Sequence, residues 1–323
     1  MKKGDEATLE LARRYFELFV NRAAYTLQSD KPDVKGKHYY YRPKGELRLN
    51  LRTILKHLLG DITIGLYAIN PKTQRSKWIA IDADYTQSFE HLLKIKAALR
   101  KDGVESALER SRRGAHLWVF AASPLLSRDC RLYVYNLAHH LQIPVKVSGA
   151  SDGIEVFPRQ DQLHDDEFGN AIRGPLGVHR GAGKKRFWFY DAHFNVESQI
   201  LYIERLHKLA EPQLHSLIEG LEMPEQFRPR PQIVLPPYDP SRPEFRILEH
   251  VGKGRRSGKD YRTRCPACGV RDKNSDNLAI SIVDPRKYRC WAGCSKEEIR
   301  AALGCPIRPR METHVWQPRM AHP

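Results

Sequence analysis

The sequence predicts an α+β fold followed by a small metal-binding module. Three observations carry this. Helix-period and strand-period apolar patterns alternate along residues 1–222. Prolines then crowd residues 223–245, where few apolar residues are periodic, which reads as a semi-rigid linker. Behind it, four of the six cysteines lie between 265 and 294. The expected division is therefore 1–222, a linker at 223–245, a module at 246–305 and a loose Pro- and Arg-rich tail at 306–323. No internal repeat of solenoid period is present.

Taken in order, residues 7–28 read as a helix, with Leu9, Leu11, Phe16, Phe19 and Ala23 at roughly helical spacing among Arg13, Arg14 and Arg22. A tyrosine-rich stretch, Tyr39 to Tyr41, follows. A second helix is expected at 47–59, stopped by Gly60. Residues 62–67 and 77–82 read as strands paired across Asn70-Pro71-Lys72. A helix over 88–101 ends before Gly103. Residues 106–110 and 116–120 read as two strands around a basic turn. Residues 124–141 read as a helix with Pro124 in its first turn. Short strands are expected at 153–157 and 186–190, then a helix over 197–219 broken at Pro212.

The chain has 323 residues, of which 41% are hydrophobic, enough for a substantial core. Its formal charge is +16, from 54 Lys and Arg against 38 Asp and Glu. That excess suits a polyanion, most simply nucleic acid. No apolar run is long enough to span a bilayer, and Met1 to Glu6 lack the apolar segment of a signal peptide. A membrane partner is therefore not expected, and the cytosol is the expected compartment. Clustered rather than dispersed cysteines agree with a reducing environment. Cys130 reads as an inert core thiol.

The richest stretch runs from Lys77 to Asp84. Strand side chains alternate faces, so Ile79, Ile81 and Ala83 share one face and Asp82 and Asp84 the other. Two adjacent like charges need a compensating cation, and a divalent metal is the simplest. The competing reading is that the pair caps the helix from Ser88.

Cys265-Pro-Ala-Cys268 and Cys290-Trp-Ala-Gly-Cys294 form two knuckles that close a tetrahedral sulfur site suited to a structural Zn2+. Four protein ligands leave no open position for catalysis, and so small a module needs the metal to fold. Residues 278–282 and 286–290 would be the strands between the knuckles. Lys253, Arg255, Arg256, Lys259, Arg262, Arg264, Arg271 and Lys273, with Tyr261 and Trp291, suit backbone contact and base stacking, against the plainer reading of a solvated face.

In the basic turn, Gly114 permits a tight backbone, Arg112 and Arg113 could hold phosphates, and His116 opens the next strand. A hairpin with a surface histidine is the bland alternative. Glu155, between Ile154 and Val156, is a further strand carboxylate. Arg159, Gln160 and the run Gly169 to Arg180 add phosphate- and base-capable groups.

In this order, Asp-x-Asp, Ser-Arg-x-Gly-x-His and apolar-Glu-apolar resemble the archaeo-eukaryotic primase superfamily of primase-polymerases over about residues 10–220. The resemblance is to the conflict-system and CRISPR-associated bacterial branch. It includes the Arg-bearing N-terminal helix, His57 to Tyr67, Phe157-Pro-x-Gln160 and Gly169-Asn-x-Ile-x-x-Pro-Leu176. The run Cys265-Pro-x-Cys268 to Tyr288-Arg-Cys-x-x-Gly-Cys294, with the following helix, resembles the zinc-binding domain of bacterial and phage primases. There a histidine usually supplies one ligand and the domain engages the template at initiation.

These resemblances imply a primase-polymerase core, an RRM-like sheet with flanking helices, plus a zinc-ribbon-like module. They imply that Asp82, Asp84 and Glu155 ligate two catalytic Mg2+ or Mn2+ ions. Ser111, Arg112, Arg113 and His116 would bind the incoming NTP or dNTP, with Arg173, His179 and Arg180 as further nucleotide contacts. Many members have Ser two before the His, where this chain has Gly114. The implied activity is primer synthesis or extension on single-stranded or primer-template DNA, with a helicase or mobile-element and defence proteins as candidate partners. The rival readings are a non-catalytic zinc-containing nucleic-acid-binding protein and a metal-dependent nuclease.

Overall fold

Helix α1 (Lys3–Phe19) is shorter than its apolar pattern predicts. The computed structural model describes residues 3–34, 36–45, 48–146, 152–165, 167–228, 245–268 and 276–307. Most of the proline-rich stretch, Arg271, Lys273 and the tail beyond 307 lie outside them. The end of the expected first helix is instead strand β1 (Tyr25–Gln28), where aromatic and β-branched side chains fit a pleated surface. Strand β2 (Tyr40–Tyr41) pairs with it. Helix α2 (Leu51–Leu59) starts later than expected because Asn50 caps it, accepting from the Thr53 amide at 2.9 Å. Gly60 stops it at φ 93.

Strands β3 (Ile64–Tyr67) and β4 (Arg75–Ala83) are not the expected hairpin. They lie in different sheets, and only an isolated bridge from Asn70, past the end of β3, reaches Arg75 of β4. The reason is burial: β4 is apolar on both faces, so it needs a neighbour at each edge and cover on each side. Helix α3 (Ser88–Lys101) ends before Gly103 as predicted. Strands β5 (Ala107–Arg110) and β6 (Ala115–Leu126) form the expected pair. Pro124 falls in β6 rather than in helix α4 (Ser127–His140). The β4–β6 register shifts between Ser76 and Trp78, and Pro124 sits in the resulting bulge, where no ladder donor is needed.

Strands β7 (Glu155–Phe157), β8 (Ala171–Arg173), β9 (Val178–His179) and β10 (Lys185–Arg186) follow. The expected strand at 186–190 survives mainly as backbone bonds along β5, from the Arg110 amide to Trp188 and from the Tyr190 amide to Leu108. Helices α5 (Val196–Arg205) and α6 (Glu211–Ile218) replace one broken helix, and Pro212 opens α6 rather than interrupting it.

These elements form the first of two compact units. The first four-stranded antiparallel sheet has the order β5-β6-β4-β7 and the second β2-β1-β3-β8, while β9 and β10 pair as a separate two-stranded sheet. Ile79, Ile81 and Ala83 pack with Leu92, Ile95 and Leu99 of α3 and with Cys130 and Val134 of α4. Trp78, Ala80, Trp118 and Phe157 pack on the opposite face with α1, α2, α5 and the second sheet. Cys130 is fully buried, and burial pushes its thiol pKa far up, as an inert core thiol requires.

The second unit is an antiparallel meander of β11 (Arg255–Ser257), β12 (Asp260–Thr263), β13 (Leu278–Ser281) and β14 (Tyr288–Cys290). Helix α7 (Lys296–Ala302) follows, opened by a capping box of Ser295 and Glu298. Its core is small: Ile247, Leu278, Ile280 and Ile299 beside Cys265, Cys268 and Cys290. The chain is thus α+β with antiparallel sheets, as predicted.

Candidate active site

Strand pairing sets one row of side chains across the first sheet. Asp82 on β4 lies opposite both His116 on β6 and Glu155 on β7, and His116 lies opposite Glu109 on β5. Directly opposed residues of antiparallel strands project to one face. The row Glu109, His116, Asp82, Glu155 therefore shares the face of Trp78, Ala80 and Trp118, which is the face turned to the second sheet. Asp84 follows β4 by one residue. It does not cap α3, whose N-cap Gln87 makes no side-chain cap bond. Its carboxylate instead pairs with the Arg113 guanidinium and accepts from the Ser111 hydroxyl at 3.4 Å.

Asp82 Oδ1 is buried and makes no hydrogen bond. His116 Nε2 lies 3.4 Å away without hydrogen-bond geometry. Burial pushes the Asp82 carboxyl up to about 6; His116 opposes the rise, while Asp84 and Glu155 add to it. Glu155 holds Lys146 at 2.7 Å and Arg159 at 3.0 Å. A buried oxygen without a partner, beside two more carboxylates, is a donor set that fits a hard divalent cation. The three carboxylates are looser than the cysteines, which among the described residues form the one potential ligand group gathered within 4.8 Å.

The acids wall a cleft of about 420 Å3. Ser111, Arg112, Arg113, His116, Arg173 and His179 line it, and so do Gln28, Lys37, His38 and Tyr40. Arg112 is exposed and makes no hydrogen bond or ion pair among the described residues. His179 Nδ1 is buried and unbonded, and burial, with Arg173 and Arg112 nearby, pulls its pKa down to about 4. Its ring is therefore neutral near pH 7. Arg180 is not brought to the cleft. It is buried, pairs with Asp30 and donates to the Asp61 carbonyl, which ties the end of β9 to the second sheet.

Gly114 has a steric reason. A Cβ there would lie 1.9 Å from the Ala83 carbonyl oxygen and 2.8 Å from Ser88 Oγ. No side chain fits at that position without moving the turn, and the hydroxyl near Asp84 comes from Ser111 instead. The His57 to Tyr67 motif braces the second sheet, whereas Phe157 and Arg173 of the other two motifs line the cleft. His57 is buried, donates from Nε2 to the Pro175 carbonyl at 3.0 Å and accepts from the Ile64 amide at Nδ1. Thr63 donates to the Val178 carbonyl at 2.6 Å. Together they hold β3 against the chain that carries Arg173 and His179.

Glu109, Lys146, Lys37, His38 and Tyr40 were not legible as site residues. For Glu109 the available signal was an acid following Ala107 and Leu108 on a strand, with Arg110 next. The acid lies inside and the base outside.

In the second unit, Cys268 Sγ lies 3.4 Å from Cys290 Sγ and 3.2 Å from Cys294 Sγ, and Cys265 completes the group. The Asn277 side chain braces the first knuckle, accepting from the Cys265 amide and donating to Cys268 Sγ. Four sulfurs at this spacing could hold a tetrahedral metal ion. Beside them Arg262 and Arg289 lie over the half-exposed Trp291 ring, at 5.8 and 4.9 Å from its centroid.

Residues 14–217 match the family described as TOTE conflict system, Archaeo-Eukaryotic Primase domain. The chain belongs to that family. The matched residues contain the whole acid row and every residue of the cleft wall. Among solved structures, this primase domain is similar to the polymerase domain from Mycobacterium tuberculosis Ligase D in complex with DNA. The identity is 11%, the TM-score 0.40, and the match covers 67% of this chain and 91% of that one. It is also similar to the catalytic domain of primase Repb' in complex with initiator DNA, at 10% identity and TM-score 0.32, covering 61% and 94%. Among curated proteins none matches. No helix among the described residues of this primase-family chain is long and apolar enough to cross a membrane.

Proposed function

We propose that the chain is a DNA-dependent primase-polymerase that makes or extends primers on single-stranded DNA. The observation that carries this reading is Asp82, whose buried oxygen lacks a partner in a cleft walled by acids and by arginines, Arg112 among them unpaired. Membership of an archaeo-eukaryotic primase family supports it, and the +16 charge suits a nucleic-acid template.

Asp82, Asp84 and Glu155 would hold two divalent cations, Mg2+ or Mn2+. When bound, such ions lower the pKa of an attacking 3′-hydroxyl and offset charge on departing pyrophosphate. The chain's own groups do the rest. Arg112, unpaired and exposed, takes a phosphate of the incoming nucleotide. Arg113 and His116 face the same cleft and offset charge as the bond from the α-phosphorus to pyrophosphate breaks. His179, neutral, serves as a hydrogen-bonding group rather than a charge. No side chain becomes covalently attached. Arg180 serves the fold and has no part in this scheme.

The four cysteines would hold a structural Zn2+, and the module they close would grip template at initiation. Arg262, Arg289 and Trp291 supply the cation and ring surface that stacking on single strands uses. The experiment is a primer-free assay on single-stranded DNA, comparing NTPs with dNTPs and Mg2+ with Mn2+. Template-directed products that require a nucleoside triphosphate are expected. Degradation of the template without a triphosphate requirement would point to a nuclease, and no product at all to a binding protein.

A further inference from the structure

We propose that Glu109 is a positioning residue that fixes His116 and Arg173 in the geometry the nucleotide cleft needs. This rests on reading the cleft as a nucleotide site. Glu109 is fully buried, and both of its carboxylate oxygens have partners. One oxygen pairs with the Arg173 guanidinium, which reaches across from the second sheet. The other accepts from His116 Nδ1 at 2.9 Å and from Trp118 Nε1 at 3.1 Å. A single side chain thus joins both walls of the cleft.

The chemistry follows from the donor count. A buried carboxylate is tolerated only when paired and hydrogen-bonded, and this one has a guanidinium and two N–H donors. Burial alone would raise its pKa, but Arg173 and His116 outweigh burial and hold it lowered. An ionised carboxylate only accepts, so His116 carries its proton on Nδ1 and presents Nε2 to Asp82 and the cleft. Without Glu109 the ring could turn or change tautomer, and Arg173 would be a buried cation with no partner. Glu109 does not line the cleft, so it would act through His116 and Arg173 rather than on a substrate directly.

A purely structural ion pair makes a different prediction, and Glu109→Asp separates the two. It keeps the negative charge but withdraws the carboxylate by one methylene from guanidinium and imidazole alike, so a purely structural pair would lower the melting temperature and leave nucleotide affinity unchanged. The measurement is equilibrium binding of a fluorescent nucleoside triphosphate to the full chain, with template binding and melting temperature alongside. The expected result is nucleotide affinity weakened about ten-fold, as outer-shell partners commonly give, with template binding unchanged. Wild-type nucleotide affinity in Glu109→Asp, while His116→Ala is weakened, overturns the positioning role alone. Wild-type affinity in His116→Ala overturns the reading of the cleft and the proposal with it. If Glu109→Asp does not fold, nitrogen-15 shifts of the wild-type His116 ring decide. A protonated, hydrogen-bonded Nδ1 is expected, and a bare Nδ1 overturns the proposal.

Discussion

Asp82 owes its character to strand register. Alternation aims it into the cleft, pairing sets it beside His116 and Glu155, and burial leaves Oδ1 unsatisfied. His116 is the residue whose role is easiest to isolate. His116→Ala should raise the apparent KM for nucleotide more than it changes template affinity, because the ring faces the cleft beside Arg112 and Arg113. Filter binding and initial rates check this; a template defect with unchanged KM would make the turn a template contact. His57 offers a pH test away from the chemistry. Burial, reinforced by the charge of Arg173, lowers its pKa to about 4, against a usual 6.5 when unfolded. The unfolded chain therefore binds the extra proton first, and the stability this neutral ring contributes is complete above 6.5 and lost as pH falls toward 4. From pH 8 to pH 5 the loss is about 2 kcal/mol. Denaturant unfolding of the wild type and His57→Gln at both values checks it: the variant should lose less on acidification. At this scale strand alternation put Asp82 and Asp84 on one face, while Glu155 and His116 stood out only through the resemblance to the primase superfamily. Glu109 and Lys146 were not legible, since their partners, Arg173 and Glu155, lie 64 and 9 residues away in sequence.

The basic turn between β5 and β6 works as an element because Gly114 rests against the Ala83 carbonyl. Gly114→Ala should therefore shift the turn, cost about 1–3 kcal/mol as overpacking does, and weaken nucleotide binding. Calorimetry with a nucleotide titration checks this, and a variant with wild-type stability and affinity contradicts the close approach. The same scale shows where sequence patterns stop. Helices α2 and α3 could be read because Gly60 and Gly103 mark their ends. The β3–β4 hairpin could not be excluded, since a short loop between apolar runs favours it locally. What overrode it was burial of both β4 faces, a property of the whole sheet. Helix α1 was overextended for a related reason: Tyr25 and Leu27 continue an apolar pattern that only pairing with β3 turns into a strand.

At the scale of the molecule, the cysteine unit has few apolar core residues beside its four clustered cysteines, and a unit so small is expected to need a bound metal to fold. Truncation near residue 225 should leave extension of a supplied primer intact and impair making a new one. Extension needs only the cleft and a paired primer end, whereas initiation must hold two unlinked nucleotides and loses most when a clamp goes. Cys265→Ser should reproduce the truncation, and elemental analysis should find zinc in the wild type but not in the variant. Equal loss of priming and extension in the truncation would contradict this division of labour. The most direct measurement of the central claim is primer extension on a DNA template by the wild type and by Asp82→Ala, with DNA binding recorded for both. The account predicts extension by the wild type, none by Asp82→Ala, and similar DNA binding by the two. Extension near the wild-type rate by Asp82→Ala would contradict it.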